Sequence, residues 1–213
     1  MPKQTFFNLP AFKRQRLVDL ALGEFAEHGP TAASISRIVA QAGIAKGSLY
    51  QYFTDKQDLF LYLVDLSNEE RIRFMTALRP LQPGEPFFPY IRWVMEQSAT
   101  FRYSDPRYAR MITWALSSDH AGLGEATRRV RQTIATVWGG LIRQGLHAGE
   151  IDREFDPTFL VWVLTTLTLD LRTYLQERPQ PDPGAVSTAN YFSAYSDLVR
   201  LLENGIRPDR EGR

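Results

Sequence analysis

From Leu123 to Ile142 apolar residues return at Leu123, Ala126, Val130, Ile134, Val137, Leu141 and Ile142, the 3.6-residue spacing of one helix face. The same spacing, with helix start and stop residues, recurs along the whole chain, and strand signals are nearly absent. There is no internal repeat and no low-complexity block. The chain is therefore expected to be all-α, its core made where amphipathic helices lay their apolar stripes together.

The punctuation places the helices. The first is expected from near Pro10, a residue suited to the first helical position, with Leu17, Val18, Ala21, Leu22 and Phe25 on one face and Gly29-Pro30 as its end. A second, short helix follows Ser34, whose hydroxyl can cap it, and turns Ile35, Ile38 and Val39 inward. Gly43 suits a left-handed turn, and a third helix runs from about Ala45 to Phe53 with Leu49 and Phe53 buried. Asp55 caps a fourth, Asp58 favours its first turn, and it reaches about Leu78. "RPLQPGEPFFP", 79–89, reads as a loop with four prolines in eleven residues. Asp105-Pro106 and Asp156-Pro157 are cap-then-proline starts, "RPQPDPG", 178–184, separates the last two long helices, and 207–213 is expected to be a disordered tail.

Several classes of function are excluded by what is missing. No cysteine exists among the 213 residues, so there is no disulfide framework, thiolate nucleophile or cysteine-ligated metal. His28, His120 and His147 stand apart from one another and from any metal-ligand spacing, and no nucleophile-elbow, phosphate-loop or dinucleotide motif is present. The alternating Glu150, Asp152, Glu154 and Asp156 read as capping charge near a helix start rather than a metal site. Neither an enzyme, a metal nor a cofactor is expected. No apolar run is long enough to span a bilayer and the N-terminus lacks a secretory signal, so a soluble, cytoplasmic protein without a membrane partner is expected.

A net charge of only +1 points to no partner, but its distribution is uneven. Residues 1–56 carry seven basic and four acidic side chains, and the remainder carries 18 basic and 20 acidic. That surplus coincides with "AGIAKGSLYQYFTDK", 42–56, where a glycine and a serine, both weak helix formers, interrupt a helix. Two short helices joined by an Ala-Gly-Ile turn form a helix-turn-helix, whose second helix lies in the DNA major groove and reads bases near its N-terminus. Gly47 then admits the backbone closely, Lys46 and Ser48 donate to phosphate or base edges, and Tyr50 and Tyr52 offer hydroxyls to phosphates. Lys56, at a helix start, is placed for an anion as well. The expected DNA-facing set is Ser34, Arg37, Ala45, Lys46, Gly47, Ser48, Tyr50, Gln51, Tyr52 and Lys56. The competing reading is a core helix whose aromatics are merely buried.

Residues 14–60 resemble the DNA-binding domain of the tetracycline-repressor (TetR) family. The resemblance is carried by Phe25 and Gly29, then Ser34, Ile38, Ala42, Gly43, Ile44, Lys46, Gly47, Ser48, Leu49, Tyr50, Tyr52, Phe53, Lys56 and Leu59. Val39, Ala45 and Asp55 depart from the family's usual alanine, serine, and serine or asparagine. Ala45 matters most, because it removes a capping hydroxyl and a phosphate donor at the start of the recognition helix. The resemblance implies a DNA-binding domain over 1–56, a helical ligand-binding and dimerisation domain over 57–206, and a ligand-responsive regulator.

The residues of the second part carry their own signals. "PTFLVWVLTTLTL", 157–169, has no charge and is apolar nearly all round, so it needs cover on two sides. A homodimer built from this helix and the last is expected, through Phe159, Trp162, Thr166, Tyr191, Tyr195, Leu198 and Leu202. A two-fold dimer implies a pseudo-palindromic double-stranded DNA operator. The four tryptophans all lie in this part. Trp93 with Gln97, Tyr108 with Trp114, and Trp138, Trp162 and Thr166 set isolated polar groups among large apolar ones, the composition of a pocket for a small apolar or weakly polar effector. Plain core packing is the alternative for these aromatics. Gly139-Gly140 marks either a close helix crossing or a yielding point. Effector binding is expected to move the fourth helix and release the operator, making a repressor. The alternative is a helix-turn-helix protein controlled by a protein partner or acting architecturally.

Overall fold

A computed structural model of the protein describes residues 1–78, 85–117, 124–177 and 188–206. Among these there are ten helices and no strand: α1 Gln4–Phe7, α2 Ala11–Ala32, α3 Ile35–Ala42, α4 Lys46–Tyr52, α5 Lys56–Leu78, α6 Phe87–Ser104, α7 Pro106–Leu116, α8 Gly124–His147, α9 Pro157–Glu177 and α10 Thr188–Ile206. The expected separator at 178–184 and tail at 207–213 lie outside the described residues. So do residues 79–84 of the expected loop at 79–89, but its last five do not. Phe87, Phe88 and Pro89 form the first turn of α6, where a proline lacks no needed donor.

The chain divides into two compact units. One comprises residues 1–73 and 104–130. Its core is Leu17, Val18, Leu22 and Phe25 of α2, Ile35, Ile38 and Val39 of α3, Leu49 and Phe53, and Leu59, Phe60, Leu63 and Val64 of α5, all buried. The expected caps are present: Ser34 Oγ accepts from Arg37 N–H at 3.3 Å, and Gly43 sits at φ 69°, ψ 32°, the left-handed geometry that turns α3 into α4. Gly29 breaks α2 at φ 71° and one further turn begins at Pro30. The position needs glycine twice over, because an added Cβ would also lie 3.0 Å from the Trp114 ring. Trp114 Nε1 in turn donates to the Ala26 carbonyl at 3.3 Å, fixing α7 to the end of α2.

The second unit comprises residues 74–103 and 131–213. Phe88, Ile91 and Met95 of α6, Ile134, Trp138 and Ile142 of α8, Leu160 and Leu164 of α9, and Tyr195, Val199 and Leu202 of α10 make its core. The acidic run at 150–156 acts on backbone. Glu150 accepts from Phe87 N–H at 2.7 Å, Asp152 from Glu154 N–H at 2.9 Å and Asp156 from Thr158 N–H at 2.8 Å, the last being the cap of α9. Of the two expected readings of Gly139-Gly140, the close crossing is absent among the described residues: a Cβ on Gly140 would meet nothing within 4 Å, and one on Gly139 would make only ordinary contacts with Arg143 and Val161. The close approach is one turn later. A Cβ on Gly145 would lie 2.6 Å from Ile151 Cδ1 and 3.0 Å from Phe87.

Candidate nucleic-acid interface

α3 and α4, joined through Gly43 and Ile44, are the helix-turn-helix expected from the sequence. α4 is seven residues long, buries Leu49 to 1% exposure on the inner side, and leaves Lys46, Gly47, Tyr50 and Gln51 exposed, with Tyr50 at 41%. The two classes alternate as a helix demands: Leu49 and Phe53 share one side, and Tyr50 lies about 100° away from Leu49. Ser48 and Tyr52 are half-buried. Ala45 holds the cap position with no side-chain bond, the departure noted in the sequence.

Gly47 is informative because nothing in the chain requires it. Its backbone φ is not positive, and a Cβ there would meet no atom within 4 Å. Neither strain nor crowding inside the molecule explains a residue that weakens a short helix by about 1 kcal/mol relative to alanine.

Most of the basic residues of this segment are committed to helix ends. Lys3 Nζ donates to the Tyr50 carbonyl at 2.8 Å, Arg14 to Phe7 at 3.0 Å, and Arg16 to Gln41 at 3.2 Å. Lys56 Nζ donates to Thr31 at 2.7 Å and Ala33 at 3.2 Å. Each places positive charge where carbonyls at a helix C-terminus collect. Arg37 grips Glu24 through Nε at 2.9 and 3.1 Å and also donates to the Ala32 carbonyl at 3.2 Å. Burial alone would raise the Glu24 carboxyl. The hydrogen bonds from Arg37 and Ser34 N–H, with the charges of Arg37 and His28, outweigh it and hold the group below the usual carboxylate range. Lys13 lies 6.0 Å from the Phe12 ring centroid. Lys46, at the start of α4, is exposed and makes no ion pair with any described residue.

The residues expected around an effector are spread over both units. Trp114 and Tyr108 are in the first, Trp114 packed on Gly29. Trp93, Gln97 and Thr166, all half-buried, belong to the second with Trp138 and Trp162. Trp138 is buried and donates to Thr168 Oγ1 at 3.2 Å, whereas Trp162 is 62% exposed. An open cleft of about 420 Å³ is lined by Arg143, Leu146, His147, Arg153, Phe155 and Pro157, none of them in the expected set. Two polar groups deserve notice for the opposite reason. Asn68 on α5 and Thr165 on α9 are buried, with the Asn68 amide and the Thr165 hydroxyl making no hydrogen bond. Asn68 carries no sequence signal, since a lone asparagine inside a helix reads as an exposed position.

Of the expected dimer residues, Phe159 (53%) and Trp162 are exposed and stack with ring centroids 6.2 Å apart. Tyr191, Tyr195, Leu198 and Leu202 are covered by their own chain, and the exposed apolar residues of α10 are Phe192 and Leu201.

Comparison with known proteins bears on this geometry directly. Residues 17–63 match the family model described as bacterial regulatory proteins, tetR family. The crystal structure of a TetR family transcriptional regulator from Chloroflexus aurantiacus J-10-FL is 33% identical, spans 98% of this chain and all of its own, and superposes with a TM-score of 0.66. The chain belongs to the TetR family. It is a transcriptional regulator with an N-terminal helix-turn-helix and a helical C-terminal part, and such regulators are not enzymes. A fatty acid metabolism regulator protein of Bacillus subtilis (strain 168) is 22% identical over 196 residues, 91% of this chain and 95% of its own. The structure of the transcriptional regulator FadR from Bacillus subtilis in complex with stearoyl-CoA shares the fold, with 18% identity, a TM-score of 0.62, and coverage of 91% of this chain and 99% of its own. No helix among the described residues is long and apolar enough to cross a membrane.

Proposed function

We propose that the protein is a ligand-released repressor that binds a pseudo-palindromic operator as a homodimer, with α4 of each subunit in successive major grooves. The observation that carries this reading is Gly47: open space around it, exposed, beside Lys46, which forms no ion pair with any described residue, on a helix that turns Leu49 into the core. A surface kept bare at the cost of helix stability suits the close approach of a duplex. Residues 1–56 are the DNA-binding part of this reading and 57–206 the effector and dimer part. The apolar face of α9, with Phe159, Trp162 and Tyr174 more than half exposed, supports a second copy as its cover.

The effector in this reading is largely apolar, with Thr165 of the second unit as a buried group whose hydrogen bond a ligand supplies. The likeness to a fatty acid metabolism regulator, and to a FadR structure holding stearoyl-CoA, makes a long-chain acyl thioester the first compound to try. Release runs through α5, whose Lys56 ties its first turn to the Thr31 and Ala33 carbonyls at the corner between α2 and α3. A shift of that turn changes the separation of the two recognition helices.

The test is selection of duplexes from a random pool by the full-length chain, then titration of the recovered duplex against salt. The reading expects an inverted repeat with half-sites about one helical turn apart and a slope that lessens in Lys46→Ala. Failure to enrich any duplex refutes it. Enrichment without release by acyl thioesters, fatty acids or apolar drugs leaves control by a protein partner.

A further inference from the structure

The last turn of a helix leaves four carbonyls with no intrahelical donor. In α4 these belong to Leu49, Tyr50, Gln51 and Tyr52. Phe53 N–H takes the first at 2.9 Å. The other three are taken by a segment almost fifty residues earlier in the chain. Lys3 N–H donates to Tyr52 at 2.8 Å, Lys3 Nζ to Tyr50 at 2.8 Å, and Thr5 Oγ1 to Gln51.

That segment is itself anchored. Phe6 has no exposed surface and sits among Phe53, Tyr62 and Tyr52 at centroid distances of 5.0, 5.3 and 6.3 Å. Arg14 of α2 holds the Phe7 carbonyl at 3.0 Å. The other end of α4 has no side-chain cap. A helix of seven residues has too few internal bonds to persist alone, so contacts from outside must hold its last turn.

We propose that residues 3–7 are a positioning clamp for the DNA-binding helix, fixing the last turn of α4 by satisfying its free carbonyls from Lys3 and Thr5 with Phe6 as the anchor. Lys3 acts through α4 in this proposal and not as a phosphate ligand, since its ammonium is turned onto the Tyr50 carbonyl. The inference rests on α4 being the helix that meets DNA.

The experiment uses the full-length chain and the duplex that it selects from a random pool. The double variant Lys3→Met with Thr5→Val keeps Phe6 and both aliphatic stems and removes only the side-chain donors. It is expected to bind the selected duplex about tenfold more weakly, the effect of losing one or two modest hydrogen bonds. Its slope of log affinity against log salt stays at the wild-type value, amides 50–53 exchange several-fold faster, and the thermal midpoint falls by no more than about 6 °C. Lys3→Arg restores most of the affinity. Unchanged affinity in the double variant refutes the clamp. A loss accompanied by a slope smaller by about 0.9 per contact also refutes it, because that marks Lys3 as a direct phosphate ligand. A wild-type chain that selects no duplex refutes the DNA-binding reading itself, and the clamp falls with it.

Discussion

Gly47→Ala separates the two reasons a helix can carry a glycine. The structure leaves open space for the new methyl, with no heavy atom within 4 Å of an added Cβ, and the backbone there is ordinary helix. Nothing opposes the intrinsic preference for alanine, so the free protein should gain about 0.5–1 kcal/mol. For a chain of 213 residues that corresponds to a thermal midpoint about 1–4 °C higher. If DNA approaches the backbone at this point, the same methyl stands between α4 and the groove, and affinity for the selected duplex should fall tenfold or more, about 1.4 kcal/mol. Calorimetry of the free protein and fluorescence anisotropy of the labelled duplex give the two numbers on one sample. A variant that is stabilised and still binds as tightly refutes close approach as the reason for glycine. A destabilised variant refutes the open space.

Gly29→Ala should do the reverse, costing about 1–3 kcal/mol of stability from left-handed backbone strain and the Trp114 ring at 3.0 Å, measured by urea unfolding with the loss of tertiary tryptophan fluorescence. Because the pKa of Glu24 is held lower in the folded chain than in the unfolded one, its share of stability is complete above the ordinary carboxylate range and lost as pH falls through the lower, folded value. Glu24→Gln should therefore be less stable than the native chain at pH 7, with the gap narrowing as pH falls below the ordinary carboxylate range, followed by the urea midpoint; a gap that does not narrow on acidification contradicts the pairing with Arg37. Trp162→Glu should lower the mass found by light scattering from twice 24.4 kDa to the single-chain value, and an unchanged dimer assigns the subunit contact to another face.

Local signals made most helix boundaries readable. Ser34, Gly43, Asp105-Pro106 and Asp156-Pro157 fix ends through bonds to residues two to four positions away, which a sequence displays side by side. What was not legible depends on distant partners. α1 has four residues, too few for a period, and the groups that Lys3, Thr5 and Phe6 engage there, the carbonyls of 50–52 and the Phe53 ring, lie almost fifty residues away. Lys56 read as a cation free for phosphate, but the carbonyls of Thr31 and Ala33 that engage it are more than twenty residues away. The tight crossing of α8 falls at Gly145 rather than the more conspicuous Gly139-Gly140, because Ile151 and Phe87 decide it. Spacing also gave Tyr191, Tyr195, Leu198 and Leu202 a common stripe without saying whether that stripe faces its own core.

Contact between α4 and DNA can be observed directly. In a selected duplex carrying 5-iodouracil at each thymine position in turn, light couples the base to an aromatic side chain within reach, and mass spectrometry locates the adduct. Adducts are expected on the peptide holding Tyr50 and Tyr52, at symmetry-related positions of both half-sites. Adducts found only on peptides outside 45–53 would contradict it.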